Sequence, residues 1–302
     1  MTAYLRALRL ERWPRSLAIF LGSAAYVFLH RGVPARFGLG GLAGRSAVAF
    51  LLTWGISTAN YIVNEIVDLP YDIHHPTKRL RPLVSGDIRK GPFALLGLGL
   101  VLLSLGASLA LFDLAFLLSL ASLLAAGFVY NVRPVRTKDI PFLDAISESA
   151  NNPIRFLIGW FAFAAPPSFP PPSMLLSWWA FGNFLMVAKR LSEFRFLKDK
   201  AGDYRASHHR YGRRSLLVGM ILSASISLAA FFHIAYAFKL QTFLLIAPFL
   251  VVFFFLIFRK TLREDEVMEE PEKLLVRPKY ALFALFLLAL FVLSYFRDAL
   301  GR

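Results

Sequence analysis

Carboxylate and amide side chains recur where a long apolar run of the sequence ends, within residues 60–90. Asn64, Asp68 and Asp72 are spaced i, i+4, i+8, so a helix would place all three on one face. Carboxylates at the edge of a membrane segment are costly and are usually functional. Magnesium is typically held by one or two carboxylates plus substrate phosphate oxygens, while Lys and Arg neutralise the remaining phosphate charge. The stretch therefore predicts a metal–polyphosphate site, because it continues into a basic cluster: Lys78, Arg79 and Arg81.

A second polar group interrupts the apolar pattern over residues 142–165. Its members recur at steps of three and four, which predicts a single polar stripe on a helix: Asp144, Glu148, Asn151, Asn152 and Arg155. In one interpretation, Glu148 pairs with Arg155 or Asn152 only to hold helices together. The stripe is richer in ionisable groups than packing requires, which favours the wall of a wet cavity.

A third group follows the predicted sixth span. Lys189 and Glu193 share a helical face, and Arg190 lies between them in sequence. An interfacial anchor explains these residues without any chemistry. Asp199 and Asp203 are again four apart in the next loop, where a solvated charged surface is the default interpretation. In another short loop, Lys138 could reach a phosphate, although an ordinary basic loop on the inner side of the membrane explains it nearly as well.

The composition indicates a polytopic membrane protein. The chain has 302 residues, 57% of them hydrophobic, and a mean hydropathy of +0.57, which suits about eight to ten spans. Hydrophobic runs predict an all-α bundle of nine transmembrane helices near residues 16–31, 45–66, 92–112, 114–132, 142–165, 174–194, 215–237, 241–258 and 280–297. The absence of cysteine excludes a disulfide framework and a thiol nucleophile.

The basic residues predict the orientation in the membrane. The net charge of +15 is spread through short loops, a pattern of topogenic signals rather than of a nucleic-acid-binding face. Most of the Lys and Arg residues fall on the side of the N-terminus and of the long polar loops, which predicts that this side is cytoplasmic. The lead, residues 1–15, carries arginines at helical spacing and is predicted to lie on the membrane surface: Arg6, Arg9, Arg12 and Arg15.

The acidic stretch resembles a known family. The segment NEIVDLPYD, Asn64 to Asp72, is similar to the NDxxDxxxD signature of the UbiA-type intramembrane prenyltransferase superfamily, with Glu65 where Asp is usual. The similarity continues through HPTKRLRPLVSGDI, His75 to Ile88. It implies a single domain over residues 1–302, a helical bundle around a central cavity, Mg²⁺, a polyprenyl phosphate or diphosphate substrate and a bacterial inner membrane. An alternative puts Asp72 on a turn, because Pro70 disfavours helix for the residue before it.

The residue sequences of the motifs help to distinguish between two possible transfer reactions. HPTKR, KRLSEF (Lys189 to Phe194) and KDKAGDYR (Lys198 to Arg205) are most similar to the decaprenyl-phosphate phosphoribosyltransferase branch. That branch implies phosphoribosyl transfer from phosphoribosyl diphosphate to a lipid phosphate, which the polar stripe also favours. Aromatic prenyltransferases of the superfamily carry a DxxxD motif, whose spacing Asp199 and Asp203 share, so prenyl transfer to an aromatic acceptor stays open. A transporter with acidic ion relays is the non-enzymatic alternative.

The site hypothesis assigns each group a role. Catalytic roles fall to Asp68, Asp72, Lys189 and Glu193. Mg²⁺ is assigned to Asn64, Asp68 and Asp72. Phosphate binding is assigned to Lys78, Arg79, Arg81, Lys138, Arg155 and Arg190. The walls of the polar cavity are assigned to Asn60, Glu65, Tyr130, Asp144, Glu148, Asn151, Asn152, Asp199 and Asp203.

Overall fold

Helices account for nearly all of the regular structure in the computed structural model, which describes residues 2–30, 32–73, 78–164, 168–197, 206–240, 242–263 and 278–300. The all-α prediction is confirmed. The α-helices of the described residues are α1 Thr2–Ala7, α2 Ile19–Leu29, α3 Val33–Asp72, α4 Lys90–Leu111, α5 Leu114–Asn131, α6 Leu143–Phe161, α7 Pro172–Leu197, α8 Arg213–Ala237, α9 Ala247–Arg263 and α10 Pro278–Leu300. Short 3₁₀ helices form at Leu10–Ala18, Lys78–Leu80, Thr137–Asp139, Ala206–Arg210 and Thr242–Ile246.

The helices explain how the chain resides in a membrane. Among the described residues, five segments are long and apolar enough to cross a bilayer: Val33–Asp72, Lys90–Leu111, Leu114–Asn131, Arg213–Ala237 and Leu244–Leu262. A helix also lies at each of the other predicted spans in the described part of the chain. That all nine cross the membrane stays a prediction. Several boundaries differ, because helical hydrogen bonding continues past the apolar run into polar residues.

The second predicted span differs most from the structure. It was expected over residues 45–66, whereas α3 begins at Val33 and ends at Asp72. Gly38 interrupts the helical backbone with φ 64° and ψ 168°, a conformation that glycine adopts without a Cβ penalty. Pro70 lies inside the last turn, and the helix ends two residues later. The alternative that put Asp72 on a turn is therefore wrong: Asp72 is the last residue of the helix that carries Asp68.

The basic lead also departs from the prediction of one amphipathic helix. α1 ends at Ala7, and the 3₁₀ helix Leu10–Ala18 begins only after Arg9, whose backbone is left-handed with φ 50° and ψ 46°. As a result, Arg6 lies in α1 and Arg9 lies in the turn between the two short helices, rather than on one continuous helical face.

The chain divides into two compact units, and α6 contributes to both. The N-terminal unit comprises Met1–Thr137 and Asn151–Pro170. Small residues let its helices approach closely. A Cβ added to Gly22 of α2 would lie 1.9 Å from the Phe156 carbonyl oxygen of α6, and one added to Gly127 of α5 would lie 2.2 Å from the side chain of Asn60.

The C-terminal unit comprises Lys138–Ala150 and Pro171–Arg302. Hydrogen bonds of polar side chains join its α7 and α8 among apolar residues. The Asn183 side-chain amide donates to Ser223 Oγ at 2.9 Å, and the Ser177 hydroxyl donates to the Ser227 carbonyl at 3.2 Å. Such hydrogen bonds satisfy the donors and acceptors of polar groups that water does not reach in the bilayer core. The core of this unit is apolar and includes Phe184, Val187, Leu191, Leu216, Met220, Phe253 and Ile257.

Candidate active site

The end of α3 carries carboxylates that face guanidinium groups from other segments. Asp68 Oδ1 lies 3.0 Å from Arg136 Nη2, and the Arg81 guanidinium donates to Asp72 Oδ2. The Asp68 side chain is 14% exposed, so solvent reaches the pair. The two arginines come from different parts of the chain, since Arg136 lies 68 residues after Asp68 and Arg81 nine residues after Asp72. Tertiary packing thus brings two carboxylates and two guanidiniums together around the helix end.

Arg136 is oriented by several contacts at once. Its Nη1 donates to the Asn131 carbonyl at 3.2 Å, and its guanidinium carbon lies 5.1 Å from the centre of the Tyr71 ring. Arg133 Nη2 donates to the Tyr71 hydroxyl at 3.2 Å and so fixes the ring. Arg136 was not among the predicted site residues. Arg136 lies in the basic loop VRPVRTK, but nothing in the sequence indicated that this loop contacts Asp68.

Glu65 pairs with the N-terminal lead. Its Oε1 lies 2.6 Å from Arg9 Nη2, and the side chain is only 3% exposed. Its second oxygen, Oε2, is buried and has no hydrogen-bond partner within the described residues. Burial lowers the pKa of Arg9, and the nearby Glu65 charge opposes that change. Sequence reasoning placed Glu65 in the polar cavity, but Arg9 was not predicted as its partner.

The donor atoms at this helix end fit magnesium held together with a phosphate. Asn64, Asp68 and Asp72 offer oxygen ligands along one helix, the type that Mg²⁺ prefers. Within the described residues, no group of three His, Cys, Asp or Glu side chains is arranged to hold a metal ion. A cage built only of protein ligands is therefore not formed there. Mg²⁺ often needs none, since substrate phosphates and water complete its shell.

The predicted basic cluster divides after the helix. Arg79 is exposed on the short 3₁₀ helix Lys78–Leu80, whereas Arg81 turns back to Asp72. The side chain of Lys78 and residues 74–77 lie outside what the structure describes. Of the described members, only Arg81 is therefore brought against the acidic end of α3.

In the C-terminal unit, one guanidinium lies among carboxylates. Arg190 is fully buried, and its Nε lies 2.7 Å from Asp144 Oδ2. Its Nη2 lies 2.8 Å from Glu148 Oε2, and its Nη1 lies 3.5 Å from Glu193 Oε2. We call this group the Arg190 cluster: Arg190, Asp144, Glu148 and Glu193. It brings together four of the predicted site residues, but Arg190 faces carboxylates rather than open space.

Residues 207–211, which precede α8, form hydrogen bonds to the carboxylates of the Arg190 cluster. Ser207 Oγ donates to Asp144 Oδ2 at 3.0 Å, and His208 Nε2 lies 2.9 Å from Glu193 Oε2. The Tyr211 hydroxyl donates to Asp144 Oδ1 and accepts from the Phe142 backbone amide at 2.8 Å. Burial, together with the Asp144 charge, raises the pKa of Tyr211, so the phenol stays protonated as a donor. These anchoring residues were not predicted, because ordinary loop composition conceals them.

The remaining predicted residues have varied surroundings. Asn60 Nδ2 donates to the Leu123 carbonyl at 2.8 Å and packs on Gly127, so it joins α3 to α5. Arg155 donates to Ser57 Oγ at 3.4 Å within the N-terminal unit. Lys138 is buried, and partly buried positions are held by Asn64, Tyr130, Asn151, Asn152 and Lys189. Asp199 and Asp203 lie outside the described residues, so the predicted roles of both stay predictions.

Comparisons with known proteins agree with the resemblance seen in the motifs. The model of the UbiA prenyltransferase family matches residues 18–286. A decaprenyl-phosphate phosphoribosyltransferase of Mycolicibacterium smegmatis is 25% identical over 228 residues, which cover 74% of this chain and 67% of that protein. The protein of the same name from Corynebacterium glutamicum is 27% identical over 207 residues, covering 66% of this chain and 56% of that protein.

A solved structure shares the fold. It is a UbiA homolog from Archaeoglobus fulgidus bound to DMAPP and Mg²⁺, with a TM-score of 0.71 and 19% sequence identity. The alignment covers 97% of this chain and 99% of that chain. The chain therefore shares the helical fold of this UbiA homolog.

Proposed function

Because the chain belongs to the UbiA prenyltransferase family, we propose that it transfers a phosphoribosyl group from phosphoribosyl diphosphate to a polyprenyl phosphate. The protein is an integral membrane transferase of the UbiA type. The finer assignment is supported by the names of two relatives and by the polar residues Asn152 and Arg155 of α6, which suit a sugar phosphate better than a bare hydrocarbon. We further propose that the chain acts as a single domain in a bacterial inner membrane, with its N-terminus and site on the cytoplasmic side.

The proposed reaction exchanges one bond for another. The bond between the sugar C1 carbon and the diphosphate oxygen breaks, and diphosphate leaves with the electron pair. A phosphate oxygen of the lipid then forms a bond to C1, which carries oxocarbenium character as the leaving group departs. Negative charge therefore grows on the diphosphate, and groups that stabilise it there lower the barrier.

The observation that carries the proposal is the pairing of Asp68 with Arg136 and of Asp72 with Arg81. Both pairs reach the helix end from separate segments, and both contain a partly exposed arginine or carboxylate. An arginine binds phosphate with the same fork of donors that it offers a carboxylate. When a diphosphate arrives, Arg81 and Arg136 can bind its oxygens, and the two carboxylates become available as ligands for a cation.

Asn64, Asp68 and Asp72 would hold Mg²⁺ in this proposal. The bound cation would neutralise charge on the departing diphosphate. The protein's own contribution is to keep the carboxylates in register on one rigid helix and to present guanidiniums beside them. Lys78 and Arg79 remain proposed as further phosphate contacts.

The Arg190 cluster has a different proposed role. The Arg190 guanidinium directs its Nε and both Nη atoms at carboxylates, and its side chain is fully buried. We therefore propose Arg190 as a positioning residue that holds α6 and α7 together. Lys138 and Arg155 remain proposed phosphate contacts, and Lys189 remains a proposed catalytic residue.

A reconstituted assay tests the proposed reaction. Purified full-length protein in detergent would be incubated with Mg²⁺, polyprenyl phosphate and phosphoribosyl diphosphate labelled in the ribose. We expect a labelled lipid and equimolar diphosphate, and chelation of the metal should abolish both. A parallel reaction would contain a polyprenyl diphosphate and an aromatic acid.

The two reactions give opposite readouts. No labelled lipid in the first, together with a prenylated acid in the second, would replace ribosyl transfer by prenyl transfer. No product in either, with chelator-insensitive ion flux in vesicles, would favour the transporter. The variant Asp87→Asn is a matched control, because Asp87 is an exposed carboxylate in the loop that follows α3.

A further inference from the structure

The N-terminal lead packs against α3, and three of its arginines contact that helix. Arg9 binds Glu65 at 2.6 Å, and Arg15 Nη1 donates to the Tyr61 hydroxyl at 3.2 Å. The Arg12 guanidinium carbon lies 5.1 Å from the centre of the same Tyr61 ring. Because Tyr61 and Glu65 are one helical turn apart, three arginines of the lead contact one face of α3 just before its acidic end.

Apolar contacts fix the lead in the same place. Ala7 is buried in a cluster that also contains Ile62, Leu83, Ile88 and Phe93. The Tyr4 ring lies 6.4 Å from the ring of Phe93 in α4. The lead therefore contacts α3, α4 and the loop that contains Arg81, so its position is set by packing as well as by charge.

The backbone at Arg9 shows that this contact imposes a conformation. Arg9 has φ 50° and ψ 46°, in the left-handed region that a non-glycine residue adopts only at a cost. Such a conformation persists where the surrounding contacts determine it, and it accompanies positions with a constrained task. The turn at Arg9 directs its side chain to Glu65.

Glu65 shares a helical face with the proposed metal ligands. It precedes Asp68 by three residues and Asp72 by seven, so all three point in similar directions from α3. Taken as a pair, Arg9 and Glu65 are nevertheless the least exposed of the three ion pairs, with side chains 11% and 3% exposed. The corresponding values are 21% and 4% for Arg81 and Asp72, and 10% and 14% for Arg136 and Asp68. A buried ion pair exchanges its partner for a phosphate less readily than a wet one, because separating it leaves a charge without solvation.

We propose that Arg9 is a positioning residue: it holds Glu65 as an anchor for the lead, so that of the three carboxylates at the end of α3, Asp68 and Asp72 supply ligands to the metal site and Glu65 does not. This inference rests on the proposed function for the identity of that site. It gives Glu65 a different role from the predicted one, which was to line the wall of the polar cavity. In this chain the position serves to hold the helix end, and its negative charge is matched inside the protein.

A double-mutant cycle tests the inference with a readout other than turnover. Binding of Mn²⁺ in the presence of inorganic diphosphate would be followed by electron paramagnetic resonance with full-length protein in detergent. Arg9→Met and Glu65→Gln should each weaken Mn²⁺ binding by about threefold to tenfold, through displacement of the helix end. The double variant should be no weaker than either single one, because both changes break the same contact.

Three further variants calibrate the cycle. Arg9→Lys keeps the charge and should restore binding to within about twofold of the unmodified protein. Arg6→Met removes an exposed arginine from the same lead and should leave Mn²⁺ binding unchanged. Asp68→Asn removes a proposed ligand and should weaken binding by about a hundredfold.

Three results would overturn the inference. One is a Glu65→Gln variant that binds Mn²⁺ as weakly as Asp68→Asn while Arg9→Met binds normally, since Glu65 would then be a ligand. Another is losses that add in the double variant. The third is no loss in either single variant.

Failure of the proposed function looks different from failure of this inference. If Asp68→Asn binds Mn²⁺ normally, the proposed metal site is wrong. The Arg9–Glu65 contact is then judged by the melting temperatures of the same four proteins, which should show the same non-additivity.

Discussion

The two charged clusters of this protein differ in how many guanidinium groups accompany their carboxylates. At the end of α3, Glu65, Asp68 and Asp72 each have a guanidinium of their own, contributed by a different segment. In the Arg190 cluster, three carboxylates surround one guanidinium that is fully buried. A pair with a partly exposed member, such as Arg81–Asp72 or Arg136–Asp68, can exchange partners when a ligand brings new charge, whereas a shared buried cation cannot leave without exposing several charges. The comparison assigns ligand binding to the first region and structural positioning to the second.

The largest effect is expected at Asp68. Asp68→Asn keeps the shape of the side chain and removes the charge proposed to hold the cation, so turnover should fall by about a thousandfold. The melting temperature should change little, because the Asp68 side chain is 14% exposed and the amide oxygen of Asn can still accept a hydrogen bond from Arg136. Labelled-lipid formation and thermal unfolding, compared with Asp87→Asn, check this. Full activity in Asp68→Asn would remove α3 from the reaction.

A change at Arg190 should lower the stability of the protein strongly, whereas a change at Asp68 mainly lowers turnover. Arg190→Met leaves Asp144, Glu148 and Glu193 without their shared cation, and loss of one partner from a buried ion pair typically costs about 3 kcal/mol or more. We expect a large drop in unfolding temperature and a low yield of folded protein. Arg214→Met is the control, since Arg214 is exposed in the same unit. If Arg190→Met is stable but inactive, the cluster is catalytic and the contrast between the two regions fails.

The neighbouring arginines Arg79 and Arg81 test how far ligand binding extends. Arg81 contacts Asp72, whereas Arg79 is exposed two residues earlier. Loss of one charge-assisted phosphate contact is expected to raise the KM for phosphoribosyl diphosphate by about tenfold in Arg81→Gln. Arg79→Gln should raise it by about twofold, since an exposed charge acts through screened long-range attraction. Equal effects in steady-state kinetics would contradict the special position of Arg81.

The smallest effect is expected at Tyr211. Its hydroxyl donates to Asp144, and a lost side-chain hydrogen bond costs about 1 kcal/mol, so Tyr211→Phe should unfold slightly earlier at neutral pH. Because the pKa of Tyr211 is raised in the folded protein, its contribution is complete below the unfolded-state pKa of about 10. It is lost as the pH rises through the folded-state pKa.

The difference in unfolding free energy between Tyr211→Phe and the unmodified protein should therefore narrow above about pH 10. Denaturant titrations across that range measure it. A gap that widens with pH would mean that Tyr211 is ionised in the folded state, contrary to the burial of its hydroxyl beside Asp144.

The sequence predicted the helical class and most helix positions because apolar runs and their polar boundaries are local properties. The sequence also predicted the acidic motif correctly, since Asn64, Asp68 and Asp72 lie on one helix. The lead was predicted less well, since helical spacing of its arginines concealed the break at Arg9. A left-handed residue is stabilised by contacts made elsewhere, here with Glu65, and the local pattern carries no signal of it.

What the sequence alone determined is therefore a membrane-embedded helical transferase with carboxylates and basic residues at the end of its second long helix. Only the tertiary structure decided which charges meet. Arg136 reaches Asp68 across 68 residues, and Arg190 reaches Asp144 across 46. The reason is physical: a helix presents each side chain at an angle set by its position, but its partner depends on how neighbouring helices are packed and rotated.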